Sequence, residues 1–199
     1  MADNPDNAFE KGCQLLREIE RQNTDACLRL IKDGADVNIT DHAGFTPLML
    51  AARQGINSLV TALLDQGANV NERGGHGHWA PLVLATRNNN PVTTTTLLER
   101  GANVNTADGD GFTALMDMAV HNQIGVVSLM IEKGVNLDAK SKSGKTAEDI
   151  AKGNGHKELE TMLAGERIRR TVAAFQKAAD AGTPKARPIP QRKRPYIPK

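Results

Sequence analysis

Two histidines one residue apart, His76 and His78, are the first place to look for chemistry in this sequence. An HxH pair can ligate a metal, and His42 stands 34 residues earlier as a candidate third ligand. Metal-dependent hydrolysis through His76, His78 and Asp117 would need a bound ion, which elemental analysis would detect. The surrounding residues argue against it, because no Cys is near and Gly74, Gly75 and Gly77 do not preorganise a site. The same glycines do not form a phosphate loop, since neither a preceding strand nor the following Lys-Ser/Thr is present. Cys13 and Cys27 form no CxxC and have no His at ligand spacing, so they read as buried free thiols of a reducing compartment. His121 and His156 read as helix-end residues. No nucleophile, base and orienting group can be assembled. The expectation is a protein without catalytic residues, metal or cofactor.

The residues that would position any site are dominated by repetition. Gly34-Ala35-Asp36-Val37-Asn38 returns as Gly67-Ala68-Asn69-Val70-Asn71, Gly101-Ala102-Asn103-Val104-Asn105 and Gly134-Val135-Asn136-Leu137-Asp138, in steps of 33, 34 and 33. A second phrase keeps the beat: Thr46-Pro47-Leu48, Ala80-Pro81-Leu82, Thr113-Ala114-Leu115 and Thr146-Ala147-Glu148. Two phrases locked to one period mark an internal repeat.

Residues 41–73 show the physics of one unit. Asp41-His42-Ala43-Gly44 is turn chemistry. Thr46 is placed as an N-cap, and Pro47 at the first helical position, where its missing N–H is harmless. Leu48, Leu50, Ala51 and Ala52 begin a short helix that Gly55 ends in a left-handed turn. Leu59, Val60, Leu63 and Leu64 follow at helical spacing until Gly67. Such a unit has apolar faces on both sides and gains stability only by stacking.

Gly-x-Thr-Pro-Leu, Ala-Ala, Leu-Leu and Gly-Ala-x-Val-Asn at 33 residues closely resembles the ankyrin repeat, over about residues 13–164. The resemblance implies an all-α solenoid of helix-turn-helix units joined by hairpin-like turns. It places an N-terminal capping repeat at 7–40, repeats at 41–73, 74–107 and 108–140, and a C-terminal cap at 141–164. Residues 1–6 precede it as a flexible segment. Residues 165–182 read as a capping helix packed on the last repeat, with Ile168, Val172, Phe175 and Ala179 on one stripe.

Charge divides the chain differently. Residues 165–199 hold 10 Lys/Arg against 2 Asp/Glu, and residues 1–164 hold 15 against 21. The segment 183–199 has five prolines and six bases, which read as a disordered tail. Its Lys185, Arg187, Arg192, Lys193, Arg194 and Lys199 fit nuclear localisation, polyanion binding, docking on the acidic body or simple solvation. The N-terminus lacks the apolar core of a signal peptide, and no stretch is long enough to span a bilayer. The expectation is a cytoplasmic monomer that binds no membrane.

Three departures from the repeat stand out. The turn Arg73-Gly74-Gly75-His76-Gly77-His78-Trp79 carries one extra residue and the only Trp. It is either a tolerated insertion with a partly packed ring or a protruding recognition loop. Asp117 occupies a helix position held by Leu50, Leu84 and Ile150. It requires either a partner such as Thr86 or a polar network serving a site. Thr93-Thr94-Thr95-Thr96 makes a poor second helix, marking a soft link in the stack.

In proteins that this chain resembles, turn tips and first helices line a concave binding surface. Carried over residue by residue, the tips give Phe45, Trp79, Phe112 and Lys145, an aromatic stripe unless Phe45 and Phe112 fold back onto neighbouring turns. Adjacent turn positions give His42, His76, His78, Asp110 and Lys142. The first-helix ends give Arg53, Gln54, Arg87, Asn88 and His121. The resemblance therefore implies a protein-binding scaffold, adaptor or inhibitor. Nucleic-acid association through the tail is the alternative from another class. Delivery into a host cell as an effector is a further one.

Overall fold

The computed structural model describes residues 5–182, as ten helices in pairs. The pairs are α1 (Pro5–Glu20) with α2 (Thr24–Lys32), α3 (Pro47–Gln54) with α4 (Asn57–Asp65), and α5 (Pro81–Arg87) with α6 (Pro91–Glu99). Then follow α7 (Ala114–Val120) with α8 (Ile124–Glu132), and α9 (Ala147–Gly153) leading to α10 (Lys157–Gly182). First helices pack in the order α1, α3, α5, α7, α9, and second helices in the order α2, α4, α6, α8. The all-α solenoid is therefore as the sequence implies.

Local chemistry starts and stops each unit. The Thr46 and Thr113 hydroxyls accept the N–H of Met49 and Met116 at 3.3 Å, and Thr146 accepts that of Asp149 at 3.2 Å. Ala80 fills the same N-cap position in α5 and offers no side-chain cap. The turn between first and second helices adopts positive φ at Gly55, Asn89, Asn122 and Gly155. Asn tolerates that conformation better than other non-glycine residues, which explains the substitution pattern.

The core sits between the two helical layers. Leu48, Leu50, Leu82, Leu97, Leu115 and Met116 are fully buried, each contributing roughly 1.5–3 kcal/mol relative to exposure. The threonine run does form α6. Thr93 and Thr94 are buried, and the Thr94 and Thr96 hydroxyls donate to the carbonyls of Asn90 (2.8 Å) and Val92 (3.2 Å). Back-bonding satisfies these two hydroxyls, and packing of Thr93, Thr94, Leu97 and Leu98 in the layer holds a helix of low propensity.

Adjacent units are also laced by asparagines. The Asn38, Asn71 and Asn105 side-chain oxygens accept the N–H of Asn69 (3.0 Å), Asn103 (2.8 Å) and Asn136 (2.7 Å). Asn38 and Asn71 also donate to the carbonyls of Gly67 (3.3 Å) and Gly101 (3.2 Å). These are the terminal residues of the repeated Gly-Ala-x-Val-Asn phrase, and each one closes onto the next copy of it.

The chain divides into a unit ending at Leu163 and a second starting at Ala164. Residues 165–182 are not a separate helix, as the sequence leads one to expect, but belong to the continuous α10. Nothing near Gly165 caps or breaks the helix, and one glycine interrupts it at a cost of only about 1 kcal/mol. Within the second unit Ile168, Val172 and Phe175 are 63%, 52% and 73% exposed. The N-terminal boundary also shifts, since α1 begins at Pro5 inside the expected flexible segment 1–6.

Candidate functional site

The turn carrying the extra residue is shaped by its glycines. Gly74 and Trp79 pair as an isolated antiparallel bridge, with N–H···O distances of 3.0 and 2.9 Å. Gly75 has φ +70°, and a Cβ there would lie 2.8 Å from the Phe45 ring. A Cβ on Gly77 would lie 2.5 Å from the Trp79 indole. These glycines therefore let backbone lie flush against two rings, and close approach matters more here than freedom. Arg73 braces the turn by donating to the Thr106 hydroxyl (3.2 Å) and the Ala107 carbonyl (2.7 Å) of the next repeat.

The rings meet each other and two arginines. Phe45 and Trp79 lie 5.9 Å apart at 35°, in the range of favourable aromatic pairs. The Arg53 guanidinium sits 5.6 Å over Phe45, and that of Arg87 sits 5.8 Å over Trp79. Both are cation–π distances. Arg53, Phe45, Trp79 and Arg87 thus form one stack across two repeats. Phe45 is only 9% exposed, so the alternative in which it folds back onto the neighbouring turn is the one realised. It supports Trp79 and is no exposed tip. Phe112 is half-buried, and no ring contact joins it to the stack among the described residues. The expected three-ring stripe is therefore a two-ring stack with arginine ends.

Arg87 continues into a charged cluster. It pairs with Asp108 at 2.6 Å and lies 4.0 Å from Asp117. Burial pushes Asp108 up, but the Arg87 hydrogen bond and the Phe112 and Asp110 N–H groups outweigh it and hold the carboxyl below its ordinary range. Asp117 behaves oppositely. Burial dominates and raises it to about 6, against the Arg87 charge and a 3.1 Å hydrogen bond from the Thr86 hydroxyl. The Thr86 partner foreseen from sequence is thus present, one repeat away.

Other expected site residues divide by their engagement. His42, His76 and His78 are exposed. Among the described residues, no group of three or more His, Cys, Asp or Glu converges in a way that could hold a metal ion. Lys142 pairs with Asp110 at 2.7 Å, and that hydrogen bond holds its ammonium above the usual range. Lys145 is exposed. Gln54 is half-buried and donates to the Ile19 carbonyl at 3.1 Å, while Asn88 donates to the Leu84 carbonyl at 2.8 Å. A His121 nitrogen lies 3.3 Å from the Arg87 carbonyl. Gln54 and His121 thus tie successive first helices together, a task that no local pattern around either residue signals. Lys185, Arg187, Arg192, Lys193, Arg194 and Lys199 lie outside the described residues. Of the thiols, Cys27 is buried and raised to about 11, chiefly by burial and then by the Glu18 charge, whereas Cys13 is only half-buried, contrary to expectation.

A family model for ankyrin repeats in three copies matches residues 15–108 and 82–171, well over half the chain. The chain belongs to the ankyrin-repeat family. Ankyrin repeats are generally protein–protein interaction modules, and the family is typically non-catalytic. Among known ankyrin proteins the chain is similar to Rabankyrin-5 of Homo sapiens, with 44% identity over 69 residues. That match covers 35% of this ankyrin chain and 6% of the relative, so the two share repeat units over a small part of the longer protein. No described helix of this ankyrin protein is long and apolar enough to cross a membrane.

Proposed function

We propose that the chain is a non-catalytic adaptor, scaffold or inhibitor that binds a partner protein on the face formed by its turn tips and first-helix ends. The observation that carries this reading is the Arg53–Phe45–Trp79–Arg87 stack. A half-buried Trp fixed between a ring and a guanidinium has lost most of its conformational freedom before any partner arrives. Rigid aromatic and arginine groups of this kind are over-represented among residues that dominate binding energy. His42, His76, His78, Phe112 and Lys145 extend the same face.

Charge segregation favours a second reading, polyanion association through residues 183–199. One experiment separates the two. Pull-downs compare the wild type with Trp79→Ala/Phe112→Ala and with deletion of 183–199. Phe45 is left intact because its burial makes truncation destabilising. A partner lost by the double variant and kept by the deletion supports the turn-tip face. A partner lost only by the deletion, with retention that falls steeply with salt, supports the tail and overturns the proposal.

A further inference from the structure

Arg53 and Arg87 occupy the same position in successive repeats. Each follows its stacked ring by 8 residues, and each precedes the start of the next turn by 21. For Arg87 that turn starts at Asp108, whose carboxylate binds the guanidinium at 2.6 Å. For Arg53 it starts at Gly74. Both residues open their turns in the same way, Gly74 donating its N–H to the Trp79 carbonyl and Asp108 to that of Phe112, both at 3.0 Å, although the turn after Gly74 is one residue longer. A side chain at Gly74 is sterically barred, since a Cβ would stand 1.9 Å from the Gly44 carbonyl oxygen. The fold therefore supplies a carboxylate to one arginine and withholds it from the other. Among the described residues no carboxylate is within ion-pair distance of Arg53, which is exposed and lies over the Phe45 ring.

We propose that Arg53 receives an Asp or Glu side chain from the partner protein, in the place that Asp108 fills at Arg87, while the flanking partner residues lie against Trp79. This rests on the turn-tip face being the binding surface. A guanidinium already positioned over a ring loses little freedom on forming a charge-assisted, two-pronged bond with a carboxylate. The acceptor is a carboxylate because the equivalent arginine of this chain has one. The partner segment is not broadly acidic, since residues 1–164 carry 21 Asp/Glu against 15 Lys/Arg and would repel it. It is a short segment with one essential carboxylate among neutral or basic residues.

The test begins with a phage-displayed library of random peptides panned on the full chain. Enriched sequences are then synthesised with a fluorescein label and titrated by anisotropy. The expected result is one fixed Asp or Glu, whose change to Asn or Gln weakens binding to wild type by about 10- to 100-fold. The same change has little effect on binding to Arg53→Gln, and Arg53→Lys recovers part of the preference. Thermal denaturation checks that both variants stay folded. Enriched peptides without a fixed acid overturn the proposal, as does an acid-to-amide loss of equal size in wild type and Arg53→Gln. So does a phosphoserine at that position that binds more tightly than the acid. If any of these peptides still lose affinity with Trp79→Ala, the binding surface stands and only the carboxylate assignment falls. Peptides insensitive to every face variant, or no enriched peptide at all, overturn both.

Discussion

The Thr86 hydroxyl donates to the Asp117 carboxylate at 3.1 Å, joining the first helices of two successive repeats through an otherwise apolar layer. Leu50 and Leu84 fill the equivalent place in the preceding repeats, so Asp117 is the one position where the layer carries an ionisable group in register with leucines.

That placement makes stability pH-dependent in a calculable direction. The folded Asp117 keeps its proton up to about pH 6, whereas its ordinary value is 3.8. Between those limits the folded state binds more proton, so this group lowers stability as pH rises through the window and adds no further change above it. The effect is up to about 3 kcal/mol. Asp117→Asn cannot titrate. In urea denaturation the variant should gain on wild type between pH 4.5 and pH 7, and an equal gap at both values refutes the argument.

Ala80 leaves α5 without the hydroxyl cap that Thr46, Thr113 and Thr146 provide to their helices. Ala80→Thr should raise stability by about 1 kcal/mol, read as a higher urea midpoint at constant slope. A lower midpoint would mean that the buried site cannot accept the larger side chain.

Asn71 holds the following repeat by two hydrogen bonds, whereas Asp138, at the same phrase position, has no later copy of the phrase to hold. Asn71→Ala should cost about 1–2 kcal/mol and Asp138→Ala close to nothing. Equal losses in thermal denaturation would remove the cross-repeat bonds as the cause.

Two glycines with positive φ separate backbone conformation from close approach. A Cβ on Gly101 (φ +89°) meets nothing within 4 Å, while one on Gly75 (φ +70°) meets Phe45 at 2.8 Å. Gly101→Ala should lose about 1 kcal/mol from conformation alone. Gly75→Ala should lose more and shift the emission of Trp79, the only tryptophan. An unchanged spectrum would show that the stack does not depend on this contact.

The solenoid was legible because the glycines at 34, 67, 101 and 134 and the Thr/Ala phrase are local signals of helix ends, repeated at one period. The Thr86–Asp117 contact was legible for the same reason, since a charge at a leucine position demands a partner nearby. The burial of Phe45 was not, because it depends on backbone of the next repeat passing directly over its ring. Nor was the arginine stack, which joins a helix end to a turn 8 residues earlier and a second ring a repeat away. The recurring asparagines were visible as letters, but their acceptor role depends on amides 31 or 32 residues later. The run of α10 through residue 165 was hidden because a glycine such as Gly165 commonly ends a helix, yet inside one it costs only about 1 kcal/mol.

Each asparagine rung refers only to the copy of the phrase next to it, and that copy presents the same amide wherever it stands. Loss or duplication of a whole 33-residue unit would leave a rung of the same kind at the new junction. The frame can therefore change length during evolution without repacking. Arg53, Phe45, Trp79 and Arg87 have no such freedom, because they need two particular units side by side in one order. Among homologues, array length should drift while this pair of units is inherited together.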